Sequence, residues 1–253
     1  MKTIGLIPAR INSTRLDRKP LKNIEGYPMF FHVYKRSQMS NLESIYLCTD
    51  SKEIYKVAES LGVPSIMTKS SHKNGTERCS EASKILNLKS KDIVVNIHGD
   101  EPLVSPKQIN KLLIFFESSN YDIVFPHRVI NKPQRNNRNM VKIVTNQNNK
   151  VLFMSRSLIP SDYRNLKKIK KQCGITIYKY FALKLYSTYK ESINERYESI
   201  ELLRAIDNNF NVGTTLINDE AISVDTYGDL VKVRKKIAVI KTLINEMKLK
   251  DEK

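Results

Sequence analysis

The stretch from Glu43 to Thr68, "ESIYLCTDSKEIYKVAESLGVPSIMT", decides the fold. It opens with an apolar run of strand length that ends at Asp50. Ser51 follows where a side-chain oxygen can cap a helix, "KEIYKVAESL" carries apolar residues at helical spacing, and Gly62 supplies the stop. "VPSIMT" then reads as a second short strand. A strand, a helix and a strand joined by turns this short make a right-handed crossover between parallel neighbours.

The same alternation runs outward from this unit. Towards the N-terminus, "KTIGLIP" is a strand and "MFFHVYKRSQ" a helix after the turn "EGYP". Towards the C-terminus, "GTERCSEASKIL", "KDIVVNIHGDEP", "SPKQINKLLIFFESS" and "YDIVFPH" continue as helix, strand, helix and strand. Strands alternating with helices of about 10–15 residues predict an α/β fold with a Rossmann-like, mainly parallel sheet. The texture changes near Asn131. "NKPQRNNRN" and "TNQNNK" are turn-rich, "MVKIVT" and "KVLFMSRS" read as a hairpin, and "CGITIYKY" adds a strand. Residues 131–180 are therefore expected to form a smaller inserted subdomain, extending the sheet or carrying a dimer contact, within one domain spanning 1–253. Beyond it, "RYESIELLRAIDNN" reads as one helix, "VGTTLIN" and "AISVD" as strands, and a basic helix starts near Thr226.

Composition narrows the function classes. A chain of 253 residues, 40% hydrophobic, can bury the core of one large domain. No apolar run is long enough to span a bilayer and "MKTIGLIPAR" lacks the apolar core of a leader, so a soluble, cytoplasmic protein without membrane contact is expected. Cys48, Cys79 and Cys173 are odd in number and lack metal or redox spacing, which suggests reduced packing residues. The net charge of +17 invites a nucleic-acid reading. However, the clusters "RNLKKIKK" and "VRKKIAVIKTLINEMKLKDEK" lack interleaved aromatic residues, and solvated faces or an anionic substrate explain the charge without stable nucleic-acid binding.

In an open parallel sheet, ligands sit beyond the carboxyl ends of the strands. Three groups fall there: the loop "ARINSTRLDRKPL", Asp100 and Asp225. The loop has no glycine. A glycine-rich loop binds phosphate with backbone amides, whereas this one offers the forked donors of Arg10 and Arg15 and the point charge of Lys19. The alternative is a basic turn facing water. Asp100 and Asp225 end apolar runs, where a carboxylate serves either as a helix cap or as a metal ligand. Mg²⁺ takes one or two carboxylates plus substrate phosphates, so this pair would suffice for it.

These residues carry a family resemblance. "IPARINSTRLDRKPL" (Ile7 to Leu21), "MTKSSHKNGTER" (Met67 to Arg78), "GDEP" (Gly99 to Pro102), "VKIV", "SRSLIP" and "VDTYGDL" occur in an order and at intervals that resemble the 3-deoxy-manno-octulosonate (KDO) cytidylyltransferases, over nearly the whole chain. The resemblance implies a nucleotidyltransferase that moves CMP from CTP to an anionic ulosonate and releases pyrophosphate, with Mg²⁺ as cofactor, a homodimer as assembly and lipopolysaccharide or capsule synthesis as destination. Carried over by motif, Arg10, Ser13, Arg15 and Lys19 would hold the triphosphate and Arg78 would lie near the cytidine. Asp100 and Asp225 would bind the metal and help activate the sugar hydroxyl, with Arg10 and Lys19 completing the catalytic set and Asp100 also on the nucleotide. His98, Lys142, Arg156, Gln172, Glu198 and Glu201 would face the sugar, although a rim salt bridge suits Lys142 and Arg156 equally well.

Departures from the family pattern gather on the sugar side. His98 stands where Gln is usual, Gln172 where His is usual, and Arg204, Ala205 and Asp207 are read as replacing polar and charged family residues. The acceptor is expected to be KDO. The alternatives are another ulosonate, such as 8-amino-KDO or a sialic-type acid, and a catalytically silent nucleotide binder.

Overall fold

The computed structural model describes residues 1–12, 16–161, 163, 168–218 and 222–251, the side chains of 132 and 241–251 excepted. The first half of the chain alternates strands and helices as the periodicity requires. β1 (Thr3–Ala9) is followed by α1 (Met29–Ser37), β2 (Ser44–Thr49), α2 (Lys52–Ser60), β3 (Ser65–Met67), α3 (Gly75–Ile85), β4 (Ile93–Ile97), α4 (Pro106–Glu117) and β5 (Ile123–Ile130). The second half comprises β6 (Lys142–Thr145), β7 (Val151–Ser155), β8 (Ile169–Gln172), β9 (Ile175–Lys179), α5 (Tyr180–Tyr186), α6 (Ile193–Glu198), α7 (Leu202–Asp207), β10 (Val212–Leu216) and α8 (Tyr227–Asp251).

These strands form one ten-stranded sheet in the order β3-β2-β1-β4-β9-β5-β8-β6-β7, with β10 pairing β5. β3, β2, β1 and β4 are parallel, as are β5 and β10, and the strands of the turn-rich segment join antiparallel. Along β1 the side chains alternate between two cores. Ile4 and Leu6 pack with Cys79, Ala82 and Leu183 on one face, and Ile7 and Ala9 with Phe30, Val33 and Ile54 on the other. Both faces are covered by helices, which is why the parallel strands read as nearly continuous apolar runs. Ser51, Asn74 and Ser105 cap α2, α3 and α4 by accepting from Ile54 N, Glu77 N and Gln108 N, and Gly62 follows α2 in the left-handed region at φ +67°.

The structure departs from the sequence reading in three places. The expected helix over Arg196 to Asn209 is two helices, because Ser199 adopts φ 51° and breaks the ladder between α6 and α7. The described part of "AISVD", residues 222–225, forms no strand, and among the described residues its backbone bond to the sheet rim is Val224 N to Asp100 O at 2.8 Å. β8 arises from the Lys-rich run that composition presents as a solvated cluster. There, Lys170 and Lys171 pair with Val129 and Arg128 of β5 while Ile169 turns into the core. Among the described residues no helix is long and apolar enough to cross a membrane.

Candidate functional site

β1, β2 and β4 run in the same direction, so their carboxyl ends at Ala9, Thr49 and Ile97 bring Arg10, Asp50 and the turn His98–Asp100 to one rim. A cavity of about 340 Å³ opens there, and Arg10, Lys19, Arg78, His98, Asp100, Glu201 and Asp225 all line it. Gly99 lets the turn lie on the end of β1, since a Cβ at 99 would stand 2.9 Å from Pro8 O. A small apolar cluster of Leu16, Ile24, Met29, Leu103, Val224, Leu230 and Val233 underlies this corner. It anchors the exit of the basic loop, the turn after β4 and the start of α8 to one another. Ser13 and Arg15 lie outside the described residues.

The loop closes in a single 3-10 turn, Lys19–Leu21, entered through Arg18 in the left-handed region at φ 51°. From it the Lys19 ammonium donates to Asp100 Oδ2 at 2.6 Å and to Asp225 Oδ1 at 3.3 Å. Burial would raise the Asp100 carboxyl, but the Lys19 charge, His98 and the Lys19 hydrogen bond outweigh it and hold Asp100 below the usual carboxylate range. Capping of α8 falls to the next residue. Thr226 Oγ1 accepts from Asp229 N at 3.2 Å, and the Asp229 carboxylate accepts from Thr226 N at 3.0 Å. Asp225 is therefore not spent on the helix terminus and turns to the cavity.

Asp100 Oδ1 is buried with no partner among the described groups, as are Asp50 Oδ1 and Asn96 Oδ1. Unpaired buried acceptors are costly, so each has capacity left to accept from a ligand, an ion or water. Among the described residues no cluster of three or more His, Cys, Asp or Glu residues could hold a metal alone. Two carboxylates with an unpaired oxygen suit Mg²⁺, which takes its remaining ligands from phosphate and water. The residues present therefore fit this cation.

Arg78 occupies the first turn of α3, almost wholly buried, donating to Thr68 Oγ1 at 2.5 Å and pairing with Asp50 Oδ2 at 3.1 Å. It lines the main cavity and a second one of about 310 Å³, which Arg10, Asn12, Asp50, Ser51 and His72 also line. His72 is in turn tied to Glu81, Nε2 to Oε2, at 2.5 Å. His72 and Asn74, both within the motif Met67 to Arg78, line the main cavity, as does Asn96, which the sequence reading did not single out. The signal for Asn96 was a lone amide inside the apolar run "IVVNI".

The six residues expected on the sugar side separate into two groups. His98 and Glu201 reach the cavity, and Glu201 accepts from Thr76 Oγ1 at 2.6 Å. Lys142, Arg156, Gln172 and Glu198 do not line it. Lys142 is fully buried and donates to the carbonyls of Asn137, Met140 and Arg156, with burial lowering its pKa. Arg156 donates to the carbonyls of Glu198 and Ser199, and the Glu198 carboxylate accepts from Ser155 Oγ and Arg156 N. These bonds tie β7 to the break between α6 and α7. Gln172 ends β8 opposite His127.

The departures at 204, 205 and 207 also point away from the cavity. Arg204 forms a bidentate pair with Glu195, both bonds at 2.7 Å, reaches Glu77 at 3.0 Å and lies over the Tyr186 ring. Ala205 is core, and Asp207 accepts from Asn194. In this structure none of the three lines the cavity, and their contacts are packing between α3, α6 and α7.

Residues 4–235 match the family model described as cytidylyltransferase. A 3-deoxy-manno-octulosonate cytidylyltransferase of Fusobacterium nucleatum is 38% identical over 237 residues, 92% of this chain and 96% of the relative. One of Rickettsia canadensis is 36% identical, covering 91% and 93%. Among solved structures, a CMP:2-keto-3-deoxy-manno-octonic acid synthetase complexed with CTP superposes with a TM-score of 0.87 at 32% identity, over 94% of this chain and 99% of that one.

Proposed function

The chain belongs to the cytidylyltransferase family, and from that premise we propose how it acts: it transfers CMP from CTP to the anomeric hydroxyl of KDO and releases pyrophosphate, the activation that lipopolysaccharide synthesis draws on. The observation that carries the reading is the meeting of Lys19, Asp100 and Asp225 at the rim of a cavity that Arg10 and Arg78 also line.

The reaction forms a bond from the sugar oxygen to the α-phosphorus as the bond from that phosphorus to the β-phosphate oxygen breaks. Such a transfer depends on positioning and on neutralising phosphate charge, so it needs cations and not a covalent nucleophile. Arg10 and Lys19 face the triphosphate, joined in sequence by Ser13 and Arg15. Arg78, stiffened by Thr68 and Asp50, closes the nucleoside end. Asp100 and Asp225 would hold Mg²⁺, which supplies charge neutralisation at the phosphates when bound. The same carboxylates polarise the attacking hydroxyl, while His98 and Glu201 line the wall that receives the sugar.

The chain is read as one nucleotidyltransferase domain in which residues 131–180 extend the sheet. It works as a homodimer, a reading supported by the exposed Ile193 and Tyr197, one turn apart on α6, and by Leu152 on β7. CTP as the donor supports a cytoplasmic location. The test is pyrophosphate release from CTP and Mg²⁺ with KDO, 8-amino-KDO and N-acetylneuraminate in parallel. Release with KDO is the expected result. Release with another acid alone transfers the activity to that acid, and CTP binding without release from any acid overturns the reading.

A further inference from the structure

Asp225 belongs to a segment that has no strand partner, yet its carboxylate must sit within reach of Asp100. Several contacts hold this segment. At its Asp225 end, Lys19 donates to Asp225 Oδ1 at 3.3 Å and Asp225 N donates to Asp229 Oδ2 at 3.4 Å. Val224 N donates to Asp100 O at 2.8 Å. The Val224 side chain is buried beside Leu16 and Leu103. Ser223 Oγ donates to Glu101 Oε1 at 2.9 Å. Ser223 thus bonds the turn after β4, Asp225 meets Lys19 and Val224 packs into the apolar cluster.

From this geometry we infer that Ser223 is a positioning residue, setting the approach of Asp225 to Asp100 through its bond to Glu101. Val224 fixes the middle of the segment and Lys19 and Asp229 hold its Asp225 end, while the Ser223 bond ties the side that precedes Val224 to the turn after β4. Glu101 is a firm post for it. The residue is 5% exposed, and it packs against Gly174, where any Cβ would overlap the carboxylate. Ser223 touches neither phosphate nor sugar, so its effect is expected in the metal-dependent part of nucleotide binding and not in binding as such.

This inference rests on the reading of Asp100 and Asp225 as the metal-holding pair. Its test is calorimetric titration of the full chain with CTP and no sugar, in EDTA and in Mg²⁺, for the wild type, Ser223→Ala, Ser223→Thr and Asp225→Asn, alongside kcat and KM. Ser223→Ala is expected to lose about tenfold of the Mg²⁺-dependent gain in CTP affinity, the scale of one hydrogen bond to a charged group. Affinity in EDTA should stay at the wild-type value, kcat should fall more than the KM for sugar rises, and Ser223→Thr should restore the gain. Retention of the gain and of kcat in Ser223→Ala, with both lost in Asp225→Asn, overturns the inference and leaves the paired carboxylates standing. Retention of both in Asp225→Asn removes the paired carboxylates and the inference together.

Discussion

Lys19 Nζ stands 2.6 Å from Asp100 Oδ2, on a side chain that left the main chain eighty-one positions earlier. The ammonium serves two ends: it neutralises the carboxylate pair in the free protein and it offers a point charge to the incoming phosphates. Lys19→Met should therefore lower kcat by about 100-fold or more, the scale seen when a preorganised charge stabiliser is removed. It should also release the Asp100 carboxyl from its depressed pKa. The acid limb of the kcat profile should then move to higher pH, and an unmoved limb would contradict the coupling.

Arg78 and Asp50 form a pair sealed beneath the second cavity. Removing one member of a buried pair strands the other charge, typically at about 3 kcal/mol or more. Arg78→Met should show this as a lower urea midpoint together with weaker CTP binding. Arg78→Met combined with Asp50→Leu should recover much of the stability without recovering the affinity. Equal recovery of both would mean that Arg78 acts only through folding.

Arg204 connects three elements and has no access to the cavity. Arg204→Met leaves Glu195 buried and unpaired and is expected to cost about 3 kcal/mol, read by urea denaturation. The ranking of acceptor sugars should not change. A change in that ranking would return this residue to the sugar side.

His127, on β5, has Nδ1 2.9 Å from Thr214 Oγ1 of β10, and burial, aided by the Lys170 charge, lowers its pKa to about 4. The unfolded chain takes up this proton near pH 6.5 and the folded chain only near pH 4, so the stabilisation is complete above 6.5 and lost as the pH falls between the two values. The loss approaches about 3 kcal/mol on the scale of 1.4 kcal/mol per pH unit. His127→Gln should remove this part of the acid slope. The check is the difference in urea midpoint between wild type and variant at pH 7 and pH 4.5, and parallel losses in both proteins would refute it.

Much of the fold was legible because secondary structure leaves a local periodic trace. The unit from Glu43 to Thr68 carries its cap, its stop and both strands in one continuous stretch, and the structure has each of them. β8 escaped because its alternating pattern is hidden among lysines whose stems lie along the sheet while their charges reach solvent or polar partners. The break at Ser199 escaped because the chain around it has helical composition. Its cause is distant, with Arg156 drawing off the carbonyls of Glu198 and Ser199.

The candidate site divides along the same line. The sequence by itself set Arg10 and Asp100 just past strand ends, since the apolar period that marks those ends is written in consecutive residues, whereas the strand it expected before Asp225 does not form. Only the tertiary structure decided that Lys19 joins the two aspartates, that Thr226 and not Asp225 caps α8, that Lys142, Arg156 and Glu198 bond to one another, and that Arg204 pairs with Glu195 and Glu77. The physical reason is that burial follows a period of two or 3.6 residues along the chain. The partner of a charge is chosen by strand order and crossover connections, which join residues that no local pattern relates.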